Sequence, residues 1–310
     1  MSRIVYLDQN AWVALARGSW DKTEFPREHA ALSKVVERVR SKEIIVPLSF
    51  ANIYETAKIN DPARRVTMAR AQSHISAGWV FRSRRHILIE TLTAYIADKN
   101  SIARPAPSER WFLSELWFEA AGECTPENYG FNISQRLTDT IRKNPARTLF
   151  DYLAFQDEAV RKEAVRRNTA SSIELIAGIE ARRSIAASVP LAVRKRAYGA
   201  RMIIDELDFI LATAKKLGLD WNTVSDIGSS LMRGIAVDVP MFHVERELAV
   251  RLEDQAKPIA ENDLRDMMAF TTVLPIADVI VAEKPFVNLA RQAKLGETYS
   301  TELMTSILDL

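Results

Sequence analysis

The chain has 310 residues, 47% of them hydrophobic and 26% charged, which suits a soluble globular protein of one large domain or two ordinary ones. Its single cysteine, Cys124, excludes a disulfide framework and fits a reducing compartment. The net charge of +2 is no argument for nucleic acid, although the charge is unevenly spread. The longest apolar stretch, Met267 to Ala282, is interrupted by Pro275 and Asp278 and is too short to cross a membrane. The first strand starts too close to Met1 to leave room for a leader, so the expected address is cytoplasmic.

Arg3-Ile4-Val5-Tyr6-Leu7 reads as a buried strand that ends abruptly in Asp8-Gln9-Asn10 before a helical pattern over Trp12 to Arg17. Asp8 would then stand at the carboxyl end of a strand, where open α/β sheets bind ligands. It could equally cap the next helix. Glu28 to Arg40 is helical, with Leu32, Val35, Val36 and Val39 in one stripe. Glu43 to Pro47 gives a second short strand, and Leu48 to Lys58 a helix that carries Glu55 on or beside the apolar face. A carboxylate there must pair with a base, bind something, or lie at the edge of the stripe in solvent. From Asp61 to Ile89 the chain holds Arg64, Arg65, Arg70, Arg82, Arg84 and Arg85, with no acid after Asp61. That makes either a phosphate-facing patch or a solvated helix face.

The middle of the chain, from about Thr91 to Ala260, is low in Gly and helical nearly throughout. The spacing predicts helices over Trp111 to Ala121, Ile133 to Lys143, Leu149 to Asn168, Ser171 to Arg183, Leu191 to Lys216 and Val244 to Gln255. Residues 140 to 201 hold thirteen Lys plus Arg against six Asp plus Glu, a second positive region. Trp111, Phe112, Trp117 and Phe118 suit one helix face and read as core rather than a base-stacking platform. His243 and Glu247 stand four apart, a metal pair without a third ligand nearby, so a surface pair is the plainer reading.

The α/β pattern returns at the end. Asn262 to Phe270 is an apolar helix behind an Asn or Asp cap, with Asp263 and Asp266 three apart on one face. Val279-Ile280-Val281 is a strand bracketed by Asp278 and Glu283, Phe286 to Lys294 is a helix, and Tyr299 to Leu310 closes as an amphipathic turn or two. No GxGxxG or GxxxxGK[ST] occurs among only 10 glycines, no GxSxG elbow is present, and one Cys with four scattered His argues against zinc.

Asp8-Gln9-Asn10 after a strand, Pro47-Leu48-Ser49 leading to Glu55, Asn262-Asp263-Leu264-Arg265-Asp266 at a helix start and Asp278-Val279-Ile280-Val281-Ala282-Glu283 together resemble the PIN-domain family of metal-dependent ribonucleases. The order of acids is similar: an Asp ends the first strand, a Glu follows some forty to fifty residues later (here 47, from 8 to 55), and the last helix and strand supply the rest. Residues 1 to 60 and 258 to 310 carry the likeness. The pattern departs from the family at Gln9, where Thr or Ser is usual, and at Ala282-Glu283-Lys284, where the last strand usually leads into Thr-x-Asp.

The resemblance implies a PIN-like parallel sheet with flanking helices formed from both chain ends, residues 1–90 and 258–310, around an all-helical insertion at 91–257. It implies a metal-dependent endoribonuclease, for which a toxin-like role is one that the family offers, with Asp8, Glu55, Asp266 and Asp278 holding Mg2+ or Mn2+ and Asn10 as a positioning group. Asp263 is the reserve for Asp266, and Glu283 the reserve for Asp278. Such an ion relieves the repulsion of converging carboxylates, neutralises a phosphodiester oxygen and activates water, leaving 5′-phosphate and 3′-hydroxyl ends. Arg64, Arg65, Arg82, Arg84 and Arg85 would attract RNA, single-stranded rather than duplex. An inhibitory protein partner and a homodimer are compatible with the family; a membrane is not expected. Two other readings remain: a catalytically inactive PIN-like scaffold or nucleic-acid-binding interaction protein, and a mostly helical interaction protein whose acids are caps, which the absence of a parallel sheet would sustain.

Overall fold

The computed structural model describes residues 1–122, 133–186 and 189–310, so Cys124 lies outside the described residues. The chain runs β1 (Arg3–Leu7), α1 (Gln9–Trp20), α2 (Pro26–Arg40), β2 (Ile44–Ile45), α3 (Phe50–Ala57), α4 (Pro62–Ser76), β3 (Val80–Phe81), α5 (Arg84–Lys99) and β4 (Leu113–Ser114). Then follow α6 (Gln135–Lys143), α7 (Pro145–Phe155), α8 (Glu158–Ala186), α9 (Leu191–Asp205), α10 (Leu207–Lys216), α11 (Val224–Ile227), α12 (Ser229–Asp238) and α13 (Pro240–Leu252). The end is α14 (Glu261–Val273), β5 (Val279–Val281), α15 (Lys284–Gln292), α16 (Leu295–Tyr299) and β6 (Glu302–Met304).

Four strands form one parallel sheet in the order β2-β1-β5-β6. The two ends of the chain meet at its centre, where Val5 pairs with Val279 and Leu7 with Val281. Alternation along β1 explains why both faces are covered. Val5 and Leu7 point to one core with α1, α2, α4 and α7; Ile4 and Tyr6 point to the other with α13, α14 and α15. A third core joins α5 to α9, α10 and α12 through Ile87, Leu92, Met202, Ile210 and Ile235. The expected boundary after residue 90 therefore falls inside α5, and helices of the middle, α7 and α13, roof both sides of the sheet. Among the described residues no helix is long and apolar enough to cross a membrane.

Several expected elements are corrected. Trp111 to Ala121 is not a helix: Leu113 and Ser114 pair antiparallel with β3, and only Trp117–Ala120 forms a short 3-10 turn. Its aromatics are spent on tertiary contacts, as where Trp117 stacks on Tyr152 with centroids 3.8 Å apart. The tail after Tyr299 supplies β6, an edge strand paired to β5 that was not expected, and then the short 3-10 turn Ile307–Asp309. The pattern over Leu149 to Asn168 breaks after Phe155, and that over Leu191 to Lys216 breaks at Glu206. Ser171 to Arg183 is the interior of the long α8.

Candidate active site

Asp8 follows the last residue of β1, and its backbone N–H donates to Val281 O at 2.9 Å, so it sits at the carboxyl edge of the two central strands. It is also a helix cap, accepting from the Ala11 N–H at 2.9 Å. Both readings of Asp8 therefore hold at once. The residue is 7% exposed. Burial pushes its carboxyl up to about 6, with the Glu283 charge adding to the rise and the Ala11 N–H opposing it.

Asp266 rises further, to about 8, through burial first and then the charges of Asp8, Glu283 and Asp263, against the pull of Arg265. Carboxylates from opposite ends of the chain are thus close enough for the charges of Asp8 and Glu283 to act on Asp266, and that of Glu283 on Asp8. Glu283 stands at the N-cap position of α15 at the same sheet edge, with its side chain making no cap bond, and it accepts a hydrogen bond from the Asn10 side-chain amide. Tyr6, beneath them, is also raised, by burial and then by Asp8 and Asp266.

Asp278 lies elsewhere. It precedes β5, accepts from the Ile4 N–H at 2.6 Å, and so occupies the amino edge of the sheet, opposite Asp8. The structure brings Glu283, the reserve, to the cluster and leaves Asp278 out of it. The sequence contained the signal: in a parallel sheet the acid that follows β5, and not the one that precedes it, shares the edge with an acid that follows β1. Between Asp263 and Asp266, Asp263 is occupied by the Ala260 N–H and Lys257 Nζ, both at 2.8 Å, as part of the α14 cap.

Glu55 projects from α3, whose start is fixed by Ser49 and Asn52, and the Asn52 amide donates to Leu7 O at 3.1 Å. That bond ties α3 to the end of β1. Glu55 is held in an ion pair with Arg265, which also reaches Glu261 at 2.6 Å and lies over the Tyr54 ring at 5.6 Å. The base that a half-buried Glu55 required is therefore Arg265, one residue before Asp266, which the sequence reading did not single out. The long α8 is pinned to the same region, because buried Arg161 donates to Ala57 O at the end of α3 and to Asn60 Oδ1 at 3.2 Å.

The expected phosphate patch is divided. Arg65 is buried against Ile59 O at 2.8 Å, Arg82 pairs with Glu119 at 3.0 Å, and Arg84 pairs with Glu245 at 2.9 Å and Glu206 at 3.3 Å. Arg64 and Arg85 stay exposed, Arg85 over the Phe209 ring at 5.6 Å. His243 and Glu247 are not a ligand pair: the imidazole meets Tyr299 Oη at 2.9 Å, while Glu247 takes Lys195 and Arg251, each at 2.6 Å.

No group of three or more His, Cys, Asp or Glu among the described residues is placed to hold a metal ion as it stands. The donor chemistry nevertheless suits a hard divalent cation: Asp8, Asp266 and Glu283 offer oxygen ligands only, and their mutual repulsion is what such an ion relieves. Fold and cluster together define a mixed α/β protein with crowded carboxylates at the carboxyl edge of a parallel sheet. No protein-family model, curated protein or solved structure matches the chain.

Proposed function

We propose that the protein is a metal-dependent endoribonuclease of the PIN kind, in which Asp8, Asp266 and Glu283 hold Mg2+ or Mn2+ and Asn10 orients Glu283. One observation carries the reading: acids separated by more than 250 residues meet at one sheet edge, where burial first and then the neighbouring acids push the carboxyls of Asp8 and Asp266 up. Functional sites store this kind of electrostatic stress. When bound, a divalent ion supplies charge neutralisation at the phosphodiester and an activated water. The protein's own residues do the rest. Asp8 is fixed by the Ala11 N–H, Glu283 by the Asn10 amide, and Glu55 is paired with Arg265, whose guanidinium adds positive charge next to Asp266.

The test is cleavage of single-stranded RNA with Mn2+. The wild type cuts it, and Asp8→Asn, which keeps the size and part of the cap, loses about 100-fold or more of the rate. The Glu55–Arg265 pair favours a second reading, a catalytically inactive PIN-like scaffold that binds nucleic acid, because it neutralises one of the expected ligands. A wild type inert on RNA and DNA with every divalent ion establishes that reading instead.

A further inference from the structure

A groove of about 690 Å3 runs between α1 and α4, with Gln9, Arg17, Trp20, Glu55 and Arg64 in its walls. Gln9 follows Asp8, and Glu55 is paired with Arg265, the residue before Asp266, so one end of the groove is walled by neighbours of the carboxylate cluster. Trp20 marks the other end. It is the last residue of α1, about 17 Å from Gln9 along the helix at ~1.5 Å per residue.

Trp20 is 70% exposed. A large aromatic left in water on a groove wall is what a stacking surface for bases requires. Arg17 is one turn earlier on the same helix and exposed, and Arg64 is exposed in the first turn of α4 across the groove. Neither makes an ion pair among the described residues, whereas Arg65, Arg82 and Arg84 do. The remaining acid of the groove, Asp61, is engaged as the α4 cap by the Arg64 N–H at 2.8 Å. Arg17 lies over the Phe25 ring at 5.8 Å, a contact that leaves its charge without an acid partner among the described residues. An aromatic face flanked by two guanidiniums free of carboxylates is complementary to a base between two phosphates.

We infer that this groove seats single-stranded RNA, with a base stacked on Trp20, its phosphates on Arg17 and Arg64, and the strand leading past Gln9 to Asp8. The inference rests on the nuclease reading for the direction of the strand, but not for the binding itself. At ~3.4 Å per stacked nucleotide, 17 Å corresponds to about five stacked nucleotides, and to fewer where the strand is extended.

The experiment measures binding of a labelled oligouridylate about twelve nucleotides long, comfortably beyond that span, to the full chain in EDTA, where nothing is cut. Trp20→Ala weakens binding about tenfold or more and Trp20→Phe retains most of it. Arg17→Gln with Arg64→Gln lowers the slope of log affinity against log salt by about 1.4. Equal affinity of Trp20→Ala and wild type, no binding by wild type, or binding of the deoxy strand alone overturns the inference, even where wild type cuts RNA with Mn2+. Trp20-dependent binding by a protein that cuts nothing keeps the groove and removes the nuclease reading, so the two failures are distinct.

Discussion

Burial makes Asp8 and Asp266 harder to ionise, with the Glu283 charge adding at Asp8 and the Asp8 and Glu283 charges adding at Asp266, and this fixes how stability responds to pH. Unfolded, both titrate near 4; folded, they titrate at about 6 and about 8. The folded form holds the extra protons, so this contribution to stability is complete below about pH 4 and is lost as pH rises through 6 and then 8. Thermal unfolding in EDTA is expected to show Tm falling over that window. Asp266→Asn cannot ionise and should flatten the fall, leaving the variant about 1–3 kcal/mol more stable than wild type near pH 8. Parallel pH profiles for the two proteins would remove the crowding on which the site rests. Glu283 and Asp278 give a sharper contrast. Glu283→Gln is expected to lose Mn2+-dependent cleavage with little change in Tm. Asp278→Asn weakens the bond from the Ile4 N–H, lowers stability by about 1 kcal/mol and leaves the cleavage rate of the folded protein intact. The reverse result would put the chemistry on the other edge of the sheet. Asp8 and Asp266 were legible because a strand end and a helix face announce them. Arg265 was not, since no local spacing links it to Glu55, 210 positions away.

Elements were legible where their periodicity was local and hidden where a partner made them. β1 and β5 are short β-branched or aromatic runs buried in the central sheet and read directly. β4 and β6 read as helix or tail because two or three residues become strand only when β3 and β5 present an open edge. Close helix approach leaves a further trace. Gly18 in α1 faces the backbone of α2, and a Cβ built there lies 2.5 Å from Glu28 C and O. Gly18→Ala should therefore cost about 1–3 kcal/mol by forcing α1 and α2 apart. Gly178→Ala, in the interior of α8 with its nearest neighbour an arginine tip at 3.7 Å, should gain up to about 1 kcal/mol of helix propensity. Chemical denaturation of both variants checks this; equal effects would mean that the α1–α2 contact relaxes freely.

Across the whole molecule, the sheet is made by the chain ends and roofed partly by the middle. That division was invisible in composition, because α7 and α13, which cover the sheet, are as helical as the α9, α10 and α12 that form the third core. The joining of the ends was legible, since a strand with a terminal acid at each end of the chain asks for one parallel sheet. It also matters most for function, because only that pairing carries Asp8 to Glu283 and Asp266. Anomalous scattering from Mn2+-soaked crystals tests it directly. The expected result is a peak about 2.1–2.4 Å from carboxylate oxygens of Asp8, Asp266 and Glu283, absent in Asp8→Asn. A soaked crystal with no peak at that edge, or with Mn2+ at Asp278 instead, would contradict it.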